Sequence, residues 1–122
     1  MKHPLLIMAF MTCVAADVRA APDAVRGQLL YQQRCVACHS VDYNGIGPMH
    51  KNLVGRQAGT VAGYVYSAAL KSSGITWTEA NLDRWLTNPE KFLPGQKMGF
   101  SVPDENERAD LIAYLKRVGQ GK

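Results

Sequence analysis

Three residues of this chain have types and spacing suited to chemistry: Cys35, Cys38 and His39, in the stretch "CVACHS". Two cysteines three apart can form a redox disulfide, half a zinc site, a plain structural disulfide, or the anchor of a haem. A disulfide-exchange pair belongs after a strand, at the opening of a helix in a βαβ setting. This pair ends a helical pattern and leads into loop. A zinc site needs four ligands, usually including a second Cys or His pair. Apart from His3 near the start, His50 is the one further histidine, and no second pair exists. Haem attachment fits the spacing. Residues i and i+3 on a helical turn lie about 5–6 Å apart at Cβ, which suits two thioethers along one porphyrin edge. The next residue, His39, can then turn its imidazole to the iron, and Cys-x-x-Cys-His is the pattern of c-type haem attachment.

A haem held this way asks for a second axial ligand. Met49, His50 and Met98 are the candidates. Met49 and His50 follow Gly47-Pro48 closely and belong on the His39 side of the ring. Met98, in "LPGQKMGF", is far enough downstream to reach the opposite face. Gly95 and Gly99 flank it, so this loop can approach a flat ligand closely. Met49 is expected to fill a gap in the core.

These residues must be positioned by one small domain. The chain has 122 residues, and its first 20 have the layout of a secretory signal peptide. Lys2 and His3 begin it, "LLIMAFMTCVAA" is an apolar run too short to span a bilayer, and "VRA" precedes the expected cut after Ala20. Removal of residues 1–20 takes two of 14 basic and one of 10 acidic residues, leaving residues 21–122 with net charge +3. It also takes Cys13, so Cys35 and Cys38 remain as the only thiols. A domain of this size builds a modest core, which a covalent staple or buried cofactor would strengthen. The mild charge, without Lys- or Arg-rich runs, does not point to nucleic acid.

The periodicity predicts helices and no convincing strand, hence an all-α class. A first helix is expected from Asp23 to about Val36, with Asp23 as N-cap and Val25, Leu29, Leu30 and Gln33 at helix spacing. Gly27 inside it costs about 1 kcal/mol against Ala, and implies that another backbone comes close. Asp42 to Gly63 reads as loop, rich in glycine and long enough to need a ligand to wrap. Tyr66 to Gly74 reads as a short helix. Thr78 is expected to cap a helix that Pro89 ends, and Pro89 to Pro103 reads as a second loop. Asp104 and Glu107 form a capping-box pattern before the last helix, whose apolar stripe is Leu111, Ile112, Tyr114 and Leu115.

Taken in order, "GQLLYQQRCVACHS", "GIGPMHKNLVGR", "YSAALKSSGITWTEANLDRWLTNP", "LPGQKMGF" and "DLIAYLKRV" resemble a class I, mitochondrial-type cytochrome c, of the monohaem kind found in bacteria. The resemblance covers essentially all of residues 21–122. It implies a small fold in which N- and C-terminal helices cross and loops wrap one haem c, held covalently by Cys35 and Cys38. His39 would be the proximal and Met98 the distal iron ligand, with the Pro48 carbonyl orienting His39. Arg56, Tyr66 and Trp77 match the partners of the inner propionate. Trp85 matches the aromatic beside the distal methionine, and Phe100 the ring that shields the haem edge. Gly27, Tyr31, Leu111 and Tyr114 match the helix crossing. The chain departs from the pattern at Leu70, where family members often carry Asn, and at Gln96, where Thr is usual.

A haem so ligated has no open coordination position, so the resemblance implies a one-electron carrier and not an enzyme. The expected setting is the periplasm, the expected form a monomer without membrane insertion. The expected partners are redox proteins: a membrane oxidase, a cytochrome bc-type complex or a periplasmic dehydrogenase. Arg34, Lys51, Lys91 and Lys97 are expected to steer docking. A haem sensor or weak peroxidase, or an electron-accepting subunit held permanently by one dehydrogenase, is the alternative.

Overall fold

The computed structural model describes residues 12–16 and 19–120. Most of the proposed leader, residues 1–11, 17 and 18, lies outside that set. The described residues form five helices: α1 (Ala24–Arg34), α2 (Ala68–Lys71), α3 (Glu79–Thr87), α4 (Pro89–Phe92) and α5 (Glu105–Val118). Among them the only β pairing is an isolated bridge between Gln57 and Thr76, so the class is all-α. None of these helices is long and apolar enough to cross a membrane.

The caps fall where the sequence placed them. The Asp23 carboxylate accepts from the Val25 and Arg26 N–H groups at 2.8 and 3.3 Å. The Thr78 hydroxyl accepts from Asn81 N–H, and the Asp104 carboxylate from Glu107 N–H. Each satisfies a donor that the first turn cannot pair internally. The reciprocal half of the capping box is not used, because the Glu107 side chain reaches across to Arg34 instead.

The first helix forms where the spacing places it, but the residues at that spacing are not its buried face: Val25 and Leu29 are exposed, and the buried positions are Gly27 and Tyr31, the two that the resemblance sets at the crossing. The crossing with α5 selects the face that allows the closest approach, and Gly27 marks it. A Cβ added at Gly27 would overlap the Asp110 carbonyl oxygen and lie 2.9 Å from Tyr114 Cβ. The segment from Pro89 is also not all loop. Its first four residues make the helical turn α4, because Pro89 presets the first φ and the Asn88 side chain accepts from Lys91 N–H at 2.9 Å.

Polar ties seal the α1–α5 crossing. Asp110, 5% exposed, accepts from Arg26 Nε at 2.9 Å and from the Asp23 N–H at 2.6 Å. The Tyr31 and Tyr114 rings meet at 5.2 Å between centroids. The α5 stripe is as expected, with Leu111, Ile112, Tyr114 and Leu115 all buried. Arg108, on the same helix, is also buried. It donates to Asp83 on α3 at 2.7 Å and to the Val102 and Pro103 carbonyls at 3.0 and 2.7 Å. It thereby fastens α3 and the chain at Val102 and Pro103 to α5. Leu53, Trp77, Leu82, Trp85 and Val102 complete the core, with Met98 packed against its edge.

Candidate functional site: a haem attachment site

Helix α1 delivers the cysteines. Its last turn runs on beyond Arg34, with the Cys38 and His39 N–H groups donating to the Cys35 carbonyl at 3.1 and 2.8 Å. Cys35 and Cys38 therefore stand one turn apart, both as free thiols. Cys35 packs against the core, and burial pushes its thiol up to about 11. Cys38 is exposed. Among the described residues no cluster of three or more His, Cys, Asp or Glu could hold a metal ion.

The next turn orients the imidazole. Gly47 N–H donates to the Cys38 carbonyl at 2.7 Å, folding the loop back under His39. His39 Nδ1 then lies 2.8 Å from the Pro48 carbonyl. A carbonyl can only accept, so Nδ1 carries the proton and Nε2 is left as the free lone pair. Burial lowers the His39 pKa, opposed by the bond to Pro48, and so favours the neutral ring that a metal needs. Gly47 has to be glycine here: an added Cβ would lie 2.5 and 2.6 Å from the two ring nitrogens of His39.

His50 sits on the His39 side, as its place in the chain implied. Its ring stacks on that of His39 at 4.0 Å between centroids and 22° between planes, and its Nδ1 lies 3.0 Å from the Tyr31 hydroxyl. Burial drives its pKa well below the usual imidazole value. His39 is thus tied, through His50 and Tyr31, to the helix crossing. The spacing from His39 signalled the side; nothing in the sequence signalled the stack.

The other expected site residues are brought together in part. Gly55 N–H donates to the Trp77 carbonyl and Trp77 N–H to the Arg56 carbonyl, both at 2.9 Å. This pairing sets Arg56 beside Trp77. The Arg56 guanidinium donates to the Lys51 and Met49 carbonyls at 2.7 and 3.0 Å. Burial lowers its pKa, while the nearby Tyr66 opposes that shift. The Tyr66 hydroxyl accepts from Val61 N–H at 3.2 Å. Arg56, Tyr66 and Trp77 share no side-chain hydrogen bond with one another among the described residues. Trp77 and Trp85 are both buried and meet edge to face at 5.2 Å. Met98 is half-buried, and its N–H donates to Gln96 Oε1 at 2.5 Å. Phe100 is 43% exposed.

Comparison with known proteins decides what this site is. The family model described as Cytochrome c matches residues 24–119. A cytochrome c 2.1 of Caenorhabditis briggsae is 46% identical over 104 residues, covering 83% of this chain and 92% of that protein. The chain belongs to the cytochrome c family. A cytochrome c2 of Rhodomicrobium vannielii is 44% identical over 105 residues, 83% of each chain. Among solved structures, the cytochrome cH from Methylobacterium extorquens superposes with TM-score 0.75 at 45% identity, covering 78% of this chain and 98% of that one.

This cytochrome c is an electron-transfer protein that carries haem c through Cys35 and Cys38. The donor set fits the group. Two thiols on one turn, a neutral imidazole with its Nε2 unbonded, and a glycine at position 47 that puts no Cβ against the ring nitrogens meet the needs of covalent attachment and iron ligation.

Proposed function

We propose that this cytochrome c is an exported, periplasmic electron carrier whose iron is ligated by His39 Nε2 and the Met98 thioether. The observation that carries the reading is the His39–Pro48 bond, which presents Nε2 in the protonation state that binds iron. Bound haem supplies one-electron exchange between ferrous and ferric iron, and a thioether ligand favours the ferrous form. Around it, Cys35 and Cys38 tether, Pro48 holds the His39 tautomer, and Arg56, Tyr66 and Trp77 offer donors to the inner propionate. A carboxylate kept from water needs such donors. In this reading Trp85 is the aromatic on the Met98 side and Phe100 the ring that would shield the haem edge.

The proposed partners are a membrane oxidase, a cytochrome bc-type complex or a periplasmic dehydrogenase, met transiently by a monomer. Lys91 and Lys97 are exposed and available to steer such encounters; Lys51 is exposed too, with its ammonium 3.7 Å from the Asp42 carboxylate. Arg34 is a weaker candidate, since both its terminal nitrogens donate to Glu107 at 2.6 and 2.7 Å. Exposed Val36 and Phe100 supply apolar contact beside the motif residues. Residues 1–20 are the proposed leader, and residues 21–122 the exported domain.

The test is expression with the haem-attachment machinery, followed by intact mass, pyridine haemochrome spectrum and the oxidised visible spectrum. The expected result is one haem per chain that starts at Ala21, with a far-red sulfur–iron charge-transfer band. Absence of that band, with fast carbon monoxide binding to the reduced protein, would instead favour a sensor. Native co-elution with a dehydrogenase would favour a permanent subunit. Electron transfer to a membrane partner that ignores ionic strength would refute lysine steering.

A further inference from the structure

The distal loop contains a hydrogen-bond relay that the reading above does not use. It begins at Glu90, on the turn α4 that Asn88 caps and buried Pro89 opens. Glu90 Oε1 accepts from the Gly95 N–H at 3.1 Å, and Oε2 accepts from Gln96 Nε2 at 3.2 Å. The same Gln96 side chain accepts the Met98 N–H through its Oε1, at 2.5 Å. Gly95 makes the reversal possible with φ of +87°, a conformation that costs glycine little. One carboxylate on a capped turn thus holds the loop backbone directly at Gly95, and through Gln96 at Met98.

The residue types suit these roles. A carboxylate only accepts, and its two oxygens serve two donors. A glutamine amide both donates and accepts, so it alone of the pair can pass the constraint onward.

We propose that Glu90 and Gln96 are positioning residues for the methionine ligand: together they hold the loop in the geometry that presents Met98 and set how readily the thioether leaves the iron. The inference rests on Met98 being the distal ligand. Because the relay lies at the exposed rim, its rupture opens the loop locally and leaves the helix crossing intact.

The experiment uses the haem-loaded protein in its oxidised form. Imidazole is added in excess, and loss of the far-red band is followed in time, so that the rate reports departure of Met98. Glu90→Ala removes two charge-assisted bonds and is expected to raise this rate about tenfold. Gln96→Glu keeps an acceptor for Met98 N–H but loses the donor to Glu90 and adds a like charge, so it should move the same way. Glu90→Gln keeps one acceptor and should fall between Glu90→Ala and the wild type. Glu79→Ala, at an exposed acid paired with Lys116, is the control and should match the wild type in rate. A Glu90→Ala rate within twofold of wild type overturns the proposal. So does a faster rate that merely tracks a lower global melting temperature. A wild-type protein that lacks the far-red band removes the ligand reading itself, and the proposal with it.

Discussion

Replacing Gly27 by alanine sets two effects of opposite sign against each other. Helix propensity alone favours Ala over Gly in a helix interior by about 1 kcal/mol. The crossing opposes it. The added Cβ would overlap the Asp110 carbonyl oxygen, with the carbonyl carbon at 2.6 Å and Tyr114 Cβ at 2.9 Å, whereas carbon–carbon contacts are comfortable at about 3.5–4.0 Å. The obstacle is mostly backbone, so no side-chain rotation relieves it and the helices must part. Parting them loosens the Tyr31–Tyr114 contact and the Asp23 N–H bond to Asp110. Overpacking of this kind costs about 1–3 kcal/mol where side chains can yield, and more where they cannot. Net of propensity, Gly27→Ala should destabilise by about 2–3 kcal/mol, a large part of the roughly 5–15 kcal/mol that holds such a domain. For about 100 residues this lowers the melting temperature by about 10–20 °C. The assay is thermal unfolding of the haem-loaded protein by far-ultraviolet circular dichroism, beside Gln32→Ala, an exposed position on the same helix. A Gly27→Ala melting temperature equal to or above that of the wild type would refute the close crossing.

Other outcomes follow from the proximal side and the crossing. Gly47→Ala drives a methyl into the His39 ring, so the yield of covalent haem per chain, read by pyridine haemochrome, should fall several-fold; an unchanged yield and spectrum would contradict the geometry. His50→Leu keeps bulk but strands the Tyr31 hydroxyl, costing about 1–3 kcal/mol in guanidinium unfolding. Adding Tyr31→Phe should recover most of that loss, and strictly additive effects would show that the bond carries no coupling. The hydrogen bond from Arg26 holds the Asp110 pKa below its ordinary 3.8. Its stabilisation is therefore complete above that value and is lost as pH falls through the lower folded one. Asp110→Asn should be less stable near neutral pH and flatter below about pH 4; equal acid slopes for the two proteins would sink this.

Much of this was readable beforehand, for identifiable reasons. Caps at Asp23, Thr78 and Asp104 depend on a side chain and the next three residues, so local sequence determines them. The attachment motif is likewise local, since two thiols and an imidazole on one turn need no distant partner to be recognised. The α5 stripe was legible because four apolar residues crowd one face. In α1 the apolar residues say less: Val25 and Leu29 have helix spacing and are exposed, and the buried face is the one that Gly27 marks. The turn α4 escapes the pattern because a proline after a helix reads as a terminator, while the Asn88 cap makes Pro89 a beginning.

Long-range polar partners were illegible in principle. Arg108 and Asp110 look like surface charges on a solvated helix until Asp83, Arg26 and the Val102 and Pro103 carbonyls are placed around them. Nothing near His50 foretells a ring stacked on His39, and nothing near Gln96 foretells Glu90. The sequence by itself determined the family, the tethers Cys35 and Cys38, and the helices that carry them, because each rests on neighbours along the chain. Only the tertiary structure decided that Arg108 and Asp110 are buried and paired, that the His50 ring stacks on His39, and that Gln96 joins Glu90 to the Met98 N–H. Those depend on carbonyls, carboxylates and rings that folding brings into contact, and neither helix spacing nor a capping pattern records them.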